Sequence, residues 1–205
     1  MHPAVFLDRD GVINENRGDY VRCWDEVRFL PGVFGALARL ARAPFRIVLV
    51  TNQSPIGRGI LTEQQVKGIN RRLVAEIEAH GGRVDGVYYC PHDPDDGCEC
   101  RKPNPGLLLQ AARELRLDLT RSYLIGDAAS DVEAALAAGC SPIFVLTGRG
   151  RGQRSLLQRQ GTQHVPVAQD LIAAVRLILD DEWKAPRNRA ARVGTESELA
   201  SSEEP

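Results

Sequence analysis

Two aspartates near the start of the chain, Asp8 and Asp10, are separated by one residue. In an extended segment, residues i and i+2 lie on the same side of the backbone, so both carboxylates can face one pocket. Because adjacent carboxylates repel each other, a divalent cation beside them would relieve the repulsion. Hard oxygen ligands suit Mg²⁺, which typically takes one or two protein carboxylates and retains several waters. Asp127, which follows a later apolar run, is expected to join the same magnesium site.

A second cluster of metal ligands lies in the middle of the chain. Its members are Cys90, His92, Cys98 and Cys100. A Cys₃His set is an ordinary tetrahedral zinc site that is closed to water, and the turn-forming residues 93–97 suit a loop better than a core strand. We expect structural zinc here, with a redox pair at Cys98 and Cys100, or unrelated thiols, as the alternatives. The other two cysteines, Cys23 and Cys140, are expected only to pack.

Short apolar runs alternate with helix-like spacings along the chain. Strands are predicted at 4–7, 47–50, 86–89, 123–125 and 142–146. Helices are predicted after Pro31-Gly32, from the Thr62 cap to Gly81, after Pro105, through 132–138 and at 171–179. This alternation with short links predicts an α/β fold built on a doubly wound parallel sheet, Rossmann-like in class.

Three polar residues, Asp8, Thr51 and Asp127, each come directly after a predicted strand. The carboxyl ends of parallel strands share one edge of a sheet, which is the usual place for a ligand crevice. We therefore expect these residues, although distant in sequence, to meet at one site. The alternative is that each aspartate only caps the loop after its strand.

The motifs at these strand ends resemble those of the haloacid dehalogenase (HAD) superfamily of phosphatases. In the family's order of DxDxG, Ser/Thr, Lys and GDxxxD, they are Asp8-Arg9-Asp10-Gly11, Thr51, Lys102, and Gly126-Asp127 through Asp131. A single DxD or GD is weak evidence, but the four motifs occur in order across residues 4–147 with the right strand context. The resemblance implies a HAD core fold and phosphatase activity.

The resemblance also implies a role for each motif residue. Asp8 would attack phosphorus and form an aspartyl-phosphate. Asp10 would protonate the leaving oxygen and later deprotonate the hydrolytic water. Thr51 and Lys102 would bind the transferring phosphoryl oxygens. Mg²⁺ would take a carboxylate oxygen of Asp8, the backbone carbonyl of Asp10, and Asp127.

Two positions after Asp127 bear on the site in other ways. The resemblance implies that Asp131 steers Lys102 or a metal-bound water from a second layer, and the alternative is a cap on the following helix. Many relatives have lysine after the Gly-Asp pair, whereas this chain has Ala128. That difference bears on the choice of substrate.

The residues around the cysteine cluster resemble one branch of the superfamily, which contains heptose bisphosphate phosphatases and histidinol-phosphate phosphatases. The segments that carry this resemblance are Cys100-Arg101-Lys102-Pro103, Thr51-Asn52-Gln53-Ser54, Arg58-Gly59 and Asp8-Arg9-Asp10-Gly11-Val12-Ile13-Asn14. The resemblance implies hydrolysis of a small phosphate ester, first the 7-phosphate of D-glycero-D-manno-heptose 1,7-bisphosphate, with histidinol phosphate as the rival substrate. Outside the enzymes, the alternative is a catalytically silent, metal-bound scaffold.

A set of loop residues is expected to contact the substrate. They are Asn16, Arg17, Gly18, Asp19, Asn52, Gln53, Ser54, Arg58 and Arg101. Arg58 and Arg101 would receive a second anionic group, and the alternative for Arg58 is a solvated loop residue. Members of this branch lack the large cap domain, and this chain has room for none. We expect one domain over 1–183, with the zinc loop 90–100 inserted, and a disordered tail over 184–205.

Composition limits the kinds of partner. The chain has 205 residues and a net charge of −1, which argues against nucleic acid or an anionic membrane as a bulk electrostatic partner. It has no signal peptide and no apolar run near 18 residues, the length that a membrane span requires. We therefore expect a cytoplasmic monomer whose partner is a small phosphorylated molecule, with Mg²⁺ and Zn²⁺ as its metals.

Overall fold

The computed structural model describes residues 1–159, 162 and 164–180. In this part of the chain the strands are β1 (Ala4–Leu7), β2 (Arg46–Asn52), β3 (Gly86–Cys90), β4 (Tyr123–Gly126), β5 (Ser141–Val145) and β6 (Val167–Ala168). The helices are α1 (Val33–Ala41), α2 (Glu63–Ala79), α3 (Gly106–Leu115), α4 (Ala129–Ala138), α5 (Gly150–Arg159) and α6 (Leu171–Leu179). Short 3₁₀ helices lie at Trp24–Glu26, Pro94–Asp96 and Leu119–Arg121.

The strands form one parallel sheet in the order β3-β2-β1-β4-β5-β6. At its centre, Phe6 of β1 lies opposite Val48 of β2 and Leu124 of β4. The chain winds outward from β1 in one direction and from β4 in the other, so the strand order reverses between these two strands. In such sheets ligands bind outside the carboxyl ends of the strands at this reversal. The predicted doubly wound parallel sheet is confirmed.

Helices cover both faces of the sheet, and β1 shows why it is apolar throughout. Its residues alternate between two cores: Val5 and Leu7 pack with α1, α6 and part of α2, whereas Ala4 and Phe6 pack with α3 and α4. All four side chains are fully buried. A parallel strand that is buried on both faces therefore has a continuous apolar run instead of an alternating one.

The start of α2 agrees with its predicted cap. The Thr62 hydroxyl accepts from the backbone N–H of Gln65 at 3.2 Å, and the Gln65 side chain accepts from the Thr62 N–H at 2.8 Å. Each side chain thus satisfies an N–H that the first helical turn leaves without a partner. This capping box fixes where the loop after β2 ends and α2 begins.

Two elements at the second half of the sheet were not predicted from the sequence. Helix α5 begins with Gly150-Arg-Gly and has a mostly polar sequence, with Leu157 buried, so it lacks a clear apolar stripe. Strand β6 has only two residues. The sequence also placed Thr51 after β2, whereas it lies within the last residues of that strand.

The segment between β1 and α1 holds only one 3₁₀ helix and isolated bridges, so it adds no large cap domain over the sheet edge. None of the helices in the described residues is long and apolar enough to cross a membrane. The predicted tail at 184–205 lies outside the described residues, and the limits of a single domain at 1–183 stay a prediction.

Candidate active site

A buried lysine and two buried carboxylates meet at the carboxyl edge of the sheet. Asp8 follows β1, and its N–H donates to the Ile125 carbonyl of β4 at 3.0 Å, which closes the junction between the central strands. Lys102 Nζ lies 2.7 Å from Asp8 Oδ1 and 2.6 Å from Asp131 Oδ1. Its remaining N–H donates to the Val50 carbonyl at 2.9 Å. All three hydrogens of the ammonium group therefore have acceptors, and the group is fixed beside Asp8.

The site contains more carboxylates than positively charged groups: Asp8, Asp127 and Asp131 lie near a single lysine, Lys102. Burial raises the pKa of Asp8 to about 7, against the opposing effect of Lys102, and Asp131 and Asp127 raise it further. Burial also raises the pKa of Asp127 to about 6. For Lys102, burial disfavours the charge, but Asp131 and Asp8 outweigh that effect and raise its pKa. A divalent cation would neutralise the excess negative charge.

Asp127 has an oxygen suited to a metal ion. Its Oδ2 accepts the Arg149 N–H at 2.7 Å, whereas its Oδ1 is buried and has no hydrogen-bond partner among the described residues. One carboxylate oxygen each from Asp8, Asp127 and Asp131 lie within 4.8 Å of one another. Buried polar atoms are normally satisfied, and oxygen-only donors fit a hard cation such as Mg²⁺. The residues present therefore fit a magnesium ion at this edge.

Two glycines make room for the Asp127 carboxylate. Gly11 and Gly148 have φ angles of +95° and +52°, and a Cβ at either position would overlap Asp127 Oδ2. The Thr147 hydroxyl also donates to the Gly11 carbonyl at 2.6 Å. This loop of Thr147, Gly148 and Arg149 was not predicted from the sequence. The sequence signal for this loop is a glycine three residues after the end of β5, a strand whose carboxyl end lies at the same sheet edge as those of β1 and β4.

Asp10 is held by several donors in the described structure. Arg9 Nη2 lies 2.8 Å from its Oδ2, Asn14 Nδ2 donates to Oδ1 at 2.8 Å, and Gln53 Nε2 donates to Oδ2 at 3.1 Å. Burial disfavours the charged form, but the Arg9 guanidinium and these hydrogen bonds outweigh it and hold the pKa of Asp10 below its ordinary value. The resting carboxylate is therefore ionised, the form that a general base requires.

The cysteine cluster has the geometry of a tetrahedral metal site. Cys90 Sγ lies 3.5 Å from both His92 Nδ1 and Cys98 Sγ, and Cys100 Sγ lies 3.3 Å from His92 Nδ1 and 3.6 Å from Cys98 Sγ. Four such ligands around Zn²⁺, at Zn–S of about 2.3 Å and Zn–N of about 2.0–2.1 Å, would be separated by about 3.5–3.8 Å. All the cysteines are free thiols, so the four side chains fit a zinc ion.

The loop after β2 packs against the zinc loop and against the lysine. The N–H groups of Gln53 and Gly57 donate to the Cys90 and Pro91 carbonyls, both at 2.7 Å. The Asn52 side chain accepts from the Lys102 N–H at 3.1 Å and donates to the Lys102 carbonyl at 3.0 Å. The backbone on which Lys102 stands is therefore fixed by both neighbouring loops.

The residues expected to contact substrate fall into two groups. The amide groups of Asn52 and Gln53 are engaged within the protein, and Ser54 is buried, with its Oγ 3.5 Å from the Tyr20 hydroxyl. The residues that are exposed or partly exposed are Asn16, Arg17, Gly18, Asp19, Arg58 and Arg101. Among these, Arg58 is paired with Asp93 at 2.7 Å, whereas Arg101 Nη1 is buried and has no partner in the part of the chain that the structure describes.

Comparison with known proteins gives consistent matches. A family model described as HAD-hydrolase-like matches residues 99–174. The D-glycero-beta-D-manno-heptose-1,7-bisphosphate 7-phosphatase of Bordetella bronchiseptica is 40% identical over 86% of this chain and 98% of its own length. The enzyme of the same name from Escherichia coli K12 is 41% identical over 72% of this chain and 81% of its own length.

Solved structures agree with these matches. The D,D-heptose 1,7-bisphosphate phosphatase of B. bronchiseptica, complexed with magnesium and phosphate, has a TM-score of 0.80 and 39% identity, and the match covers 86% of this chain and 98% of that chain. The corresponding phosphatase of Burkholderia thailandensis has a TM-score of 0.66 and 32% identity over 87% and 99% of the two chains.

The sheet, the Asp8–Lys102 pair and these matches together define the class: a phosphoric monoester hydrolase with a HAD-like fold. Within that class, the chain belongs to the family of the D-glycero-beta-D-manno-heptose-1,7-bisphosphate 7-phosphatases.

Proposed function

We propose that this protein hydrolyses the 7-phosphate of D-glycero-beta-D-manno-heptose 1,7-bisphosphate, with Mg²⁺, through an aspartyl-phosphate at Asp8. The observation that carries the proposal is the buried Asp8–Lys102–Asp131 arrangement at the sheet edge. It occurs in a chain that aligns over 98% of a relative with this activity. The magnesium and phosphate bound to the similar structure from B. bronchiseptica support the choice of metal.

Asp8 is suited to the role of nucleophile. It lies at the end of a rigid, buried strand, and one of its oxygens is held by Lys102 at 2.7 Å. Its other oxygen is left to attack phosphorus, and Asp8 then carries the phosphoryl group until water replaces it. Mg²⁺, held by Asp8, Asp127 and the backbone carbonyl of Asp10, would supply positive charge to the phosphoryl oxygens.

Asp10 would act as the acid and then as the base. In the first half-reaction it gives a proton to the sugar oxygen as the P–O bond breaks, and in the second it takes a proton from the attacking water. The donors around Asp10 favour the ionised form, which is the base of the second half-reaction. The proton that Asp10 takes from water in that step is the one it gives to the next leaving group. Thr51 would hold a phosphoryl oxygen in both steps. Lys102 would do the same by exchanging its hydrogen bond to Asp8 for one to the phosphoryl group.

Arg101 is the stronger candidate for the second anion of the substrate. Its Nη1 is buried and has no partner within residues 1–159, 162 and 164–180, whereas the charge of Arg58 is already compensated by Asp93. A bisphosphate provides an anion for such a group. The rival substrate, histidinol phosphate, carries a cationic amine and gains nothing from an arginine. We therefore favour the bisphosphate, and we infer that Zn²⁺ holds the loop on which Arg101 and Lys102 stand.

The test is a comparison of kcat/KM values for heptose 1,7-bisphosphate, heptose 7-phosphate and histidinol phosphate. Wild type should prefer the bisphosphate. A charge-assisted hydrogen bond is worth about 1.5–3 kcal/mol, so Arg101→Ala should reduce the ratio of bisphosphate to monophosphate by about tenfold or more. Arg58→Ala is the matched control at the partnered arginine and should change the ratio less.

Other results would direct the assignment elsewhere. Equal losses on both heptose phosphates in Arg101→Ala would remove the second-anion site. Faster turnover of histidinol phosphate by wild type would favour the rival substrate. Absence of phosphate release from every substrate in the presence of Mg²⁺ would favour the non-catalytic scaffold. The cytoplasmic location and the monomeric state stay predictions, which cell fractionation and light scattering would test.

A further inference from the structure

Gln53 connects two residues that have proposed roles in phosphoryl transfer, Asp10 and Thr51. Its side-chain Nε2 donates to Asp10 Oδ2 at 3.1 Å and to Thr51 Oγ1 at 2.9 Å. Its Oε1 accepts from Arg9 Nη2 at 3.2 Å. The side chain is nearly fully buried, and its amide groups form their hydrogen bonds within the protein and not with a ligand.

The orientation of this amide is fixed by chemistry. A guanidinium group has only donors, so the atom of Gln53 that faces Arg9 must be the oxygen. The nitrogen therefore faces Asp10 and Thr51. Arg9 is itself held in place: its Nη1 donates to Asn70 Oδ1 of helix α2 at 2.8 Å, and its Nη2 donates to Asp10 Oδ2 at 2.8 Å.

This orientation determines what the Thr51 hydroxyl can do. Because Gln53 donates to Oγ1, the hydroxyl is an acceptor on that side, and its own hydrogen must point elsewhere. Within the described part of the chain, no hydrogen bond donated by this hydroxyl is found. The hydrogen is thus left for a phosphoryl oxygen, and Asp10 Oδ2 faces the same amide.

We propose that Gln53 is a positioning residue that orients the Thr51 hydroxyl hydrogen toward the transferring phosphoryl group and holds the Asp10 carboxylate in place. It acts through these two residues and does not touch substrate. The inference rests on the proposed phosphoryl-transfer function, but on no particular sugar. It assigns to Gln53 a different role from the substrate contact expected from the sequence.

The decisive comparison is Gln53→Glu against Gln53→Met. Glutamate keeps the size and pairs with Arg9, but it presents an acceptor where the amide presented a donor. Thr51 would then donate to the introduced carboxylate instead of to substrate, and Asp10 would face a second negative charge. Methionine keeps approximate size and only removes the hydrogen bonds.

We expect kcat to fall by about tenfold in Gln53→Met and by about a hundredfold in Gln53→Glu, with KM little changed. Gln64→Glu, an exposed position on α2, is the matched control and should behave as wild type.

A second readout is dependence on the leaving group. Nitrophenolate departs without a proton, so loss of Asp10 positioning should matter less for 4-nitrophenyl phosphate than for a sugar phosphate. The loss in both variants should therefore be larger on the sugar phosphate. A merely structural role would reduce both substrates equally and would make the isosteric glutamate the milder change. Either of those outcomes, or a loss confined to KM, would overturn the inference.

The test remains available if Gln53→Glu does not fold or if the natural substrate is not a heptose. A double-mutant cycle of Gln53→Met with Thr51→Val, assayed on 4-nitrophenyl phosphate, asks whether Gln53 acts through Thr51. Losses that are smaller in combination than their sum support the inference, and additive losses overturn it. Failure of the proposed function would appear separately, as wild-type enzyme that does not hydrolyse the heptose bisphosphate.

Discussion

Replacing Asp8 with asparagine should abolish turnover and yet stabilise the magnesium-free protein. The pKa of Asp8 rises from an ordinary 3.8 to about 7 because of burial and because Asp131 and Asp127 are nearby, in spite of the opposing Lys102. The folded protein therefore holds this proton more tightly than the unfolded chain does. Consequently the free energy of unfolding decreases as pH rises from 3.8 to 7, and the full penalty is present above pH 7.

The size of the effect follows from the same shift. About three powers of ten in proton affinity, at about 1.4 kcal/mol each, give roughly 4 kcal/mol. Asparagine carries no charge and removes this penalty, although Lys102 then keeps only the Asp131 carboxylate, at 2.6 Å. We therefore expect Asp8→Asn to be more stable than wild type by about 1–4 kcal/mol above pH 7, and a kcal/mol is worth about 2–4 °C for a chain of this length.

The assay is thermal unfolding of both proteins across pH, in buffer that lacks Mg²⁺ but contains no chelator that would remove zinc. The stability difference should be small in acid, grow toward pH 7 and then level off. Added Mg²⁺ should stabilise wild type by mass action and reduce the difference. An Asp8→Asn protein that is less stable than wild type at every pH, or a difference independent of pH, would refute the reasoning about buried negative charge. Substantial phosphatase activity in this variant would remove Asp8 as the nucleophile.

Three further outcomes are expected. Cys98→Ser should lose zinc and stability together, because the binding energy of a structural zinc is folding energy. Cys23→Ser, at an exposed cysteine, should lose neither. Elemental analysis measures the zinc content and thermal unfolding measures the stability. Gly148→Ala should cost about 1 kcal/mol or more in stability, since its φ is positive, and should also reduce activity because the new Cβ overlaps Asp127; unchanged kcat would contradict this. Thr62→Ala should cost about 1 kcal/mol from loss of the capping box and leave kcat unchanged, as measured by denaturant unfolding and the phosphatase assay.

The sequence predicted the elements whose signal is local. The apolar run of β1 and the Thr62 cap are set by neighbouring residues, so their boundaries were predicted within a residue. Helix α5 and strand β6 were missed because one is mostly polar and the other has two residues. Their places are determined by packing against α4 and β5, which no local pattern records.

The candidate site shows the same division. Residue types that perform chemistry could be recognised from spacing, and the topology of a parallel sheet brings Asp8 and Asp127 to one edge. The contacts of Gln53 and Gly148 could not be predicted, because each joins residues that are far apart in sequence. Gln53 and Arg9, for example, are 44 positions apart, and no local pattern indicates that they form a hydrogen bond. The sequence predicted that Gln53 contacts the substrate, whereas its proposed positioning role is inferred from its hydrogen bonds to Arg9, Asp10 and Thr51.

The buried charges at the sheet edge explain why several parts of the protein fix the position of Lys102. Removing a buried ammonium or a buried carboxylate from water costs several kcal/mol each. The folded protein must therefore hold Lys102 in contact with the carboxylates that compensate its charge. Asn52 fixes its backbone through two hydrogen bonds, and the cysteine cluster begins the same loop twelve residues earlier, at Cys90. Zinc would then act at a distance from the chemistry: by keeping the loop rigid it keeps the ammonium in place. Loss of zinc should therefore reduce kcat before the protein unfolds, which activity and far-UV circular dichroism measured during slow zinc removal would resolve. If activity persists until the fold is lost, zinc contributes stability alone.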